Sequence, residues 1–425
     1  MRIGIIGGGA SGMILAAKLR NKDVTILERN SKLGKKLLLT GNGKCNFTNL
    51  DFKNLSDIYN NDFASDIYRR YDNVSFIDFF KSIGIIPKIE KHKNISYIYP
   101  NTNKATSVYY CLYDKIIDNN INIIYNTYVI DIKHSDNSYK VICDDGKTYE
   151  FDKVVLSTGG NSYKNTGSDG TGYEIAKKLG HSINKIAPGL TALNYALTDK
   201  NIIIDGKCRV NASVKYQDND KVIFYESGEI QITSDTISGI PVINFSSKIG
   251  RDLANKNDLI LNIDFSDALI NDSSLIDKQS DQSSKDNYEL VLSKLIKRRD
   301  NTKYRKTHDF LCGYLPDEIN ESILKLSGVY NKKLSELNNI DFENIAKNII
   351  SFKVRIVSKP NFDFAQITLG GVNVDEIDIN TLESKLVKGL YFTGELLDID
   401  GKCGGYNLQL SYSSASIVAD SLKGD

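Results

Sequence analysis

The residues best able to do chemistry begin at position 7. Gly7-Gly8-Gly9-Ala10-Ser11-Gly12 is a G-x-G-x-x-G run, a pattern that lets a backbone approach a diphosphate. Glu28 lies 21 residues after Gly7, where a carboxylate can accept both hydroxyls of a ribose. Gly7 turns the chain, Gly9 admits the diphosphate and Gly12 lets a helix pack on a strand. Ala10 and Ser11 open that helix, whose first N–H groups and positive dipole end face the phosphates. An acid at 28 argues against a ribose 2′-phosphate and leaves FAD or NAD.

These positions need regular elements around them. Arg2–Ile6 reads as a strand, Ala10–Arg20 as a helix, and Asp23–Leu27 as a second strand ending at Glu28. The next segment favours FAD over NAD. Gly34–Asn49, GKKLLLTGNGKCNFTN, is a basic glycine-bearing loop where a nicotinamide dehydrogenase would continue with βα units. Lys36 is its candidate for the pyrophosphate, and Lys35 is expected in solvent.

Two further glycine-rich stretches complete the pattern. Of 31 glycines, eight fall in residues 1–50, seven in 150–189, eight in 370–425 and only six in 190–369. In the second stretch, Tyr139–Ser157 alternates around the hairpin signal Asp145-Gly146 and enters Thr158-Gly159-Gly160. Ile121–Ile132 is expected as another strand, with Val129 offering backbone groups to an adenine. Gly167–Gly172 leads into a helix over Tyr173–Leu179, with Asp169 as its N-cap and His181 in a C-terminal capping role. No second G-x-G-x-x-G with a following acid appears, so a dedicated NAD(P)H domain is not expected. In the third, strand Gly389–Phe392 leads to Thr393-Gly394-Glu395, and Cys403-Gly404-Gly405 opens a helix to about Leu422. The N–H groups at that helix start suit the N1 and C2 carbonyl of a flavin. Glu395 suits a ribityl hydroxyl.

The chain resembles the bacterial BaiN-type, or aminoacetone-oxidase-type, NAD(P)/FAD-dependent oxidoreductases. The matching segments are GGGASG, GKKLLLTGNGKCNFTN, STGGNSY with GSDGTGYEIAKKLGH, TLGGV at Thr368–Val372 and YFTGELLDIDGKCGGYNLQLSYSSA. More distantly it is similar to fumarate-reductase-type flavoproteins. The resemblance implies an α/β Rossmann-like, discontinuous FAD-binding domain with an inserted β-rich domain. It implies tight, non-covalent FAD held by Gly7, Gly9, Ala10, Ser11, Gly12, Glu28, Lys36, Gly43, Cys45, Asn46, Val129, Thr158, Gly159, Gly160, Gly394, Glu395, Gly405, Asn407 and Leu408. NAD(P)H is implied as a transient reductant. Two departures stand out. Thr233–Pro241 reads TSDTISGIP, with Ser234 where the family carries His, and Ala415 stands where the last helix tends to have Gly.

The expected division is residues 1–188 and 356–425 for the cofactor domain and 189–355 for a barrel-like insert with a helical segment at about 270–340. In the insert, strands are expected at Ile202–Ile204, Val210–Tyr216, Val222–Tyr225, Glu229–Thr233 and Ile260–Phe265. Helices are expected at Tyr288–Ile296 and Asp317–Ser327, with a surface loop at Asp272–Asp286. The resemblance makes this insert the part that covers the flavin and shapes the substrate site.

Composition narrows the function classes. With 54 Lys and Arg against 53 Asp and Glu, the net charge is +1. That argues against a nucleic-acid or membrane-surface protein, the cluster Lys294–Arg305 being the exception to weigh. None of the six cysteines forms a CxxC pair, so no metal site is expected and the thiols fit a cytoplasmic protein. Cys45 and Cys403 lie in loops expected to converge on FAD, where they could form a redox pair. The function expected is two-electron transfer through FAD between NAD(P)H or a small organic substrate and O₂ or an activated alkene. Tyr406 is the candidate catalytic acid. The alternatives are a flavin-containing tRNA- or RNA-binding or modifying protein and a non-catalytic flavin redox sensor.

Overall fold

The computed structural model describes residues 1–20, 22–92, 95–135, 138–199, 202–270, 284–301 and 306–424. It forms two compact units, one from Met1–Gly189 with Asn361–Asp425 and one from Leu190–Pro360.

In the first unit, short aliphatic runs without polar alternation build a parallel sheet. Its strands are β1 (Arg2–Ile6), β2 (Asp23–Leu27), β3 (Asn122–Ile124), β4 (Lys153–Leu156) and β5 (Leu390–Phe392), in the order β5-β4-β1-β2-β3. Ile6 lies opposite both Leu27 and Leu156, Leu27 opposite Ile124, and Leu156 opposite Phe392. The five strands therefore stop level. The residues just beyond them, Gly7, Glu28, Tyr125, Ser157 and Thr393, share one edge. Strand β1 is flanked by β2 and β4, which makes its carboxyl end the switch point where such sheets bind ligands.

Helix α1 (Ala10–Lys18) packs against α2 (Ala105–Asp118) and against α4 (Tyr406–Lys423), and α3 (Thr171–Lys178) comes after β4. Helix α4 is buried along almost its whole length. Its Ser413, Ser414 and Ser416 stay satisfied by donating to the carbonyls of Gln409, Leu410 and Tyr412 at 2.9, 2.7 and 2.8 Å. Ala415 is fully buried among them, as the small residue expected there requires.

An antiparallel meander, Val129–Ser135, Ser138–Cys143 and Thr148–Phe151, turns at Gly146 as the Asp-Gly signal indicated. The single strand expected over Ile121–Ile132 is instead two. Asn126 takes a left-handed φ of 52°, breaking the run so that Asn122–Ile124 joins the parallel sheet and Val129 starts the meander.

The second unit is a closed antiparallel barrel, in order Leu193–Leu197, Thr236–Gly239, Lys221–Ile232, Cys208–Asp218, Leu259–Asp264 and Phe352–Ile356. Val222–Tyr225 and Glu229–Thr233 fall in one long strand rather than two. Ile202–Ile204 is not a strand: Ile202 and Ile204 are buried and Ile203 is exposed, without a ladder. Helix Ser284–Asn301 contains the expected Tyr288–Ile296 and takes in the last three residues of the expected loop, Asp317–Leu326 ends one residue before the expected Ser327, and Ile240–Asp252 and Asn339–Ile350 are two further helices that were not expected. The first was hidden by its start, since Pro241 opens it directly after the strand Thr236–Gly239. Most of the expected loop Asp272–Asp286, from 272 to 283, lies outside the described residues, as do positions 302–305 of the basic cluster.

Candidate cofactor site

Three of the four glycines of the first run, those of the G-x-G-x-x-G pattern, are glycine for different reasons. Gly7 has a φ of +97°, and a Cβ there would stand 2.7 Å from the Ser157 carbonyl oxygen. A Cβ on Gly12 would overlap the Gly7 carbonyl. Both are fixed by the protein's own backbone. Gly9 is not. Its φ of −72° suits any residue, and the nearest atom to an added Cβ is 4.0 Å away. Open space lies in front of Gly9, at the N-cap of α1, where no side chain caps the helix.

Glu28 closes one end of this cradle. It is buried, and its Oε2 accepts the Gly8 N–H at 2.8 Å. Its Oε1 accepts the N–H and amide of Asn30 at 2.8 and 2.7 Å. These bonds hold the carboxylate rigidly against the glycine turn and leave acceptor capacity on Oε2. The chain around Val129 runs alongside: Thr127 N–H donates to the Glu28 carbonyl at 2.9 Å. Beside it, Arg29 pairs with Asp169 at 2.5 Å and lies 4.1 Å above the ring of Tyr128, whose hydroxyl donates to Asp169 at 3.1 Å. Asp169 also accepts the Thr171 N–H at 3.1 Å. The N-cap expected at Asp169 is instead Gly170, which has no side chain to cap the helix; Asp169 sits one position earlier and closes a local turn onto Thr171. Arg29 and Tyr128 were not singled out in the sequence. Only their adjacency to Glu28 and Val129 marks them.

At the other side of β1, Gly159 has a φ of +71° and Gly160 presses on the Thr368 side chain. Thr158 packs just as tightly against Gly172. Gly394 lies just past β5, with its N–H donating to Ser414 at 3.0 Å and its Cα against Ser11. Lys36 reaches into this region, but its partners are protein groups: Ser162 Oγ and Glu395 Oε2, each at 2.7 Å.

The start of α4 lies against the Lys44–Asn49 segment. Gly405, at φ +90°, would place a Cβ 2.8 Å from the Thr48 backbone. Thr48 donates to Gln409 at 2.7 Å and Asn49 to the Gly404 carbonyl at 2.7 Å. Asn46, on the same segment, lies within 3.0 Å of that Gly405 position. Gly43 faces open space much as Gly9 does. Leu408 is buried in the core. Asn407 is used internally: it accepts the Gly401 N–H at 2.9 Å and donates to the Gly401 carbonyl at 2.8 Å.

Tyr406 is placed for packing. Its hydroxyl donates to the Asp51 carbonyl at 3.0 Å, and its ring meets Phe52 edge-on at 5.0 Å. This contact gives Tyr406 a packing role and lends no support to the one expected of it as catalytic acid. Cys45 is fully buried, and burial pushes its thiol up to about 12. It and Cys403 are thiols, with no disulfide between them. His181 does cap α3, its N–H donating to the Ala176 carbonyl at 3.0 Å. Its ring is buried between Glu376, 2.9 Å from Nδ1, and Ser384, 2.8 Å from Nε2.

In the barrel unit three described members of the basic cluster, Lys294, Arg298 and Arg299, are committed to structure. Lys294 donates to the Leu269 carbonyl at 2.6 Å, ending helix Ser266–Ile270. Arg298 donates to the Cys312 carbonyl at 2.6 Å and covers the ring of Tyr314 at 4.3 Å. Arg299 covers Phe342 at 5.3 Å and pairs with Asp300. Ser234 lies on an exposed turn between two barrel strands.

The profile of the HI0933-like protein Rossmann domain matches residues 1–421. The chain belongs to this HI0933-like family. Over 424 residues it is 34% identical to the 3-dehydro-bile acid delta(4,6)-reductase of Clostridium scindens, covering 98% of each chain. It is 26% identical over 423 residues to the ribosomal RNA dihydrouridine synthase of Escherichia coli, covering 98% of this chain and 97% of that protein. Among solved structures it is similar to the open conformation of a flavocytochrome c3 fumarate reductase, at 14% identity and a TM-score of 0.46, covering 99% of this chain and 77% of that one. The family member is an FAD-dependent oxidoreductase built on a Rossmann-like FAD-binding domain. Among the described residues no helix is long and apolar enough to cross a membrane, and no group of three or more His, Cys, Asp or Glu could hold a metal ion.

Proposed function

We propose that this protein holds FAD along the carboxyl edge of its parallel sheet and reduces a carbon–carbon double bond conjugated to a carbonyl, with NAD(P)H as electron source. The open space before Gly9 carries the cofactor half of this reading. In a turn where Gly7 and Gly12 answer to protein contacts, a glycine with room for a side chain marks the approach of a ligand. Gly7, Gly9, Ala10, Ser11 and Gly12 would take the diphosphate at the start of α1, and Glu28 the adenosine ribose. Val129 lies at the adenine end. Thr158–Gly160, Gly394 and Glu395 would line the middle of the cofactor, and Asn46, Gly405, Asn407 and Leu408 its flavin end, with Gly43 and Cys45 in the loop beside them.

Bound flavin supplies two-electron transfer. The protein's part is to fix the ring and offer backbone N–H groups at the start of α4 to its electron-rich edge. The relatives point to the substrate class. A delta(4,6)-reductase and a dihydrouridine synthase are both named for saturating ring alkenes, and a carbonyl next to such an alkene makes it an acceptor for two electrons and two protons. A small molecule is favoured over RNA, because Lys294, Arg298 and Arg299 are engaged within the barrel unit. The scattered thiols support a cytoplasmic setting.

The test is anaerobic. Purified yellow protein is reduced with NADH or NADPH and mixed with a cyclic enone or with uridine-containing RNA, and the return of the oxidised flavin spectrum is monitored. Reoxidation by the enone with formation of the saturated ketone is expected. Reoxidation by RNA alone moves the substrate to the other relative's class, and none by either leaves a redox sensor.

A further inference from the structure

Lys36, Ser162, Thr368 and Glu395 come from four separate stretches of chain and meet in one hydrogen-bonded cluster. Glu395 is held on both oxygens. Oε1 accepts the Thr368 N–H at 2.6 Å and the Ser162 hydroxyl at 3.0 Å. Oε2 accepts the Lys36 ammonium at 2.7 Å, and that ammonium donates to Ser162 Oγ at 2.7 Å as well. Ser162 is fully buried, and the two charged side chains retain only 24% and 20% of their exposure.

The arrangement is odd for an anion site. Glu395 comes directly after Gly394 at the end of β5, on the strand edge where the diphosphate is proposed to lie, and like charges in a partly desolvated place repel. The carboxylate cannot swing away, because Thr368 and Ser162 fix it. The Lys36 ammonium is the charge that compensates it.

We infer that Lys36 acts through Glu395 rather than as a direct ligand of the diphosphate: the four groups form a charge-neutral clasp that lets a fixed carboxylate stand beside a bound dinucleotide. The inference rests on the FAD reading above. The clasp also ties together the three glycine-rich stretches, since Lys36 belongs to the first, Ser162 to the second and Glu395 to the third. Lys36 is thus a positioning residue, and Ser162 and Thr368, which lie in matched motifs but were given no role there, share its task.

A direct ligand and a compensating charge behave differently when Glu395 is neutralised. FAD affinity is measured by fluorescence titration of apoprotein for the wild type, Lys36→Met, Glu395→Gln and the double variant, with thermal unfolding of each apoprotein as the folding control. Lys36→Met is expected to bind at least about tenfold more weakly, because it leaves a fixed carboxylate uncompensated. Glu395→Gln alone reports whatever the carboxylate itself contributes, and the double variant is expected within about threefold of Glu395→Gln and tighter than Lys36→Met. Lys36→Arg, which keeps the charge, is expected to bind like the wild type even if Lys36→Met folds poorly. A double variant no tighter than Lys36→Met overturns the clasp and returns Lys36 to the diphosphate. A wild-type apoprotein that takes up no FAD overturns the cofactor reading itself, and the clasp's role with it.

Discussion

The two units of this chain differ in where glycine and charge come together. In the parallel-sheet unit, glycines stand at the strand ends, pressed against backbone or facing open space, and charged side chains such as Glu28, Lys36 and Glu395 converge on the same edge. In the barrel unit, Gly313 and Gly328 take positive φ at turns with nothing near them, and the basic side chains end helices and cover aromatic rings. The lesson is that a site is marked where an open glycine such as Gly9 and held charges share one edge. In the first unit they coincide, and in the second the described basic side chains have local partners away from such a glycine.

The sharpest way to break this contrast is at neighbouring glycines. Gly12→Ala forces a methyl into the Gly7 carbonyl, and a loss of several kcal/mol of stability, on the order of 3 or more, is expected in denaturant unfolding. Gly9→Ala has room for its methyl, so it should leave the unfolding midpoint within about 0.5 kcal/mol of the wild type. In the barrel unit, Arg298→Ala removes a carbonyl partner and a ring cover together. A loss of about 1–3 kcal/mol is expected with FAD affinity unchanged, and a drop in FAD affinity would blur the division between the units.

Smaller effects sharpen the picture within the first unit. Burial lowers the His181 pKa, and the Glu376 carboxylate only partly offsets it. The folded protein therefore favours the neutral ring, and the unfolded chain takes up the proton first. His181 should contribute stability above about pH 6.5, the ordinary histidine value, and lose that contribution as pH falls below it. Thermal unfolding between pH 5 and 8 checks this, since His181→Gln should flatten the acid limb. Cys45, with its thiol pushed up to about 12 by burial, should resist alkylation in native protein at pH 8, as read by peptide mass spectrometry. Rapid modification would mean that the Thr40–Asn46 loop opens.

Much of this was legible in the sequence because backbone constraints write themselves as residue types. Gly7, Gly12 and Gly405 must be glycine on steric grounds, and Glu28 sits where the register of β1 and β2 puts it. The strand ends aligned because each apolar run stops at the same depth. Partnerships across distant segments were not legible. Nothing in the spacing of Lys36 and Glu395 shows that they pair, because 359 positions separate them. The packing role of Tyr406 was hidden for the same reason: its neighbour Gly405 advertised a ligand, while the Asp51 carbonyl that accepts from its hydroxyl is far away in sequence. In the barrel unit, Pro241 disguised a helix start, and the basic run looked like a free surface until its aromatic partners, Tyr314 and Phe342, came from later helices and turns.

If the space before Gly9 belongs to a dinucleotide, a methyl there must interfere with it. Titration of apoprotein with FAD, for the wild type and for Gly9→Ala side by side, reads this out. Tight uptake by the wild type is expected, with at least about a hundredfold weaker binding by a variant that unfolds at the same temperature. Equal FAD affinity in the two proteins would contradict it.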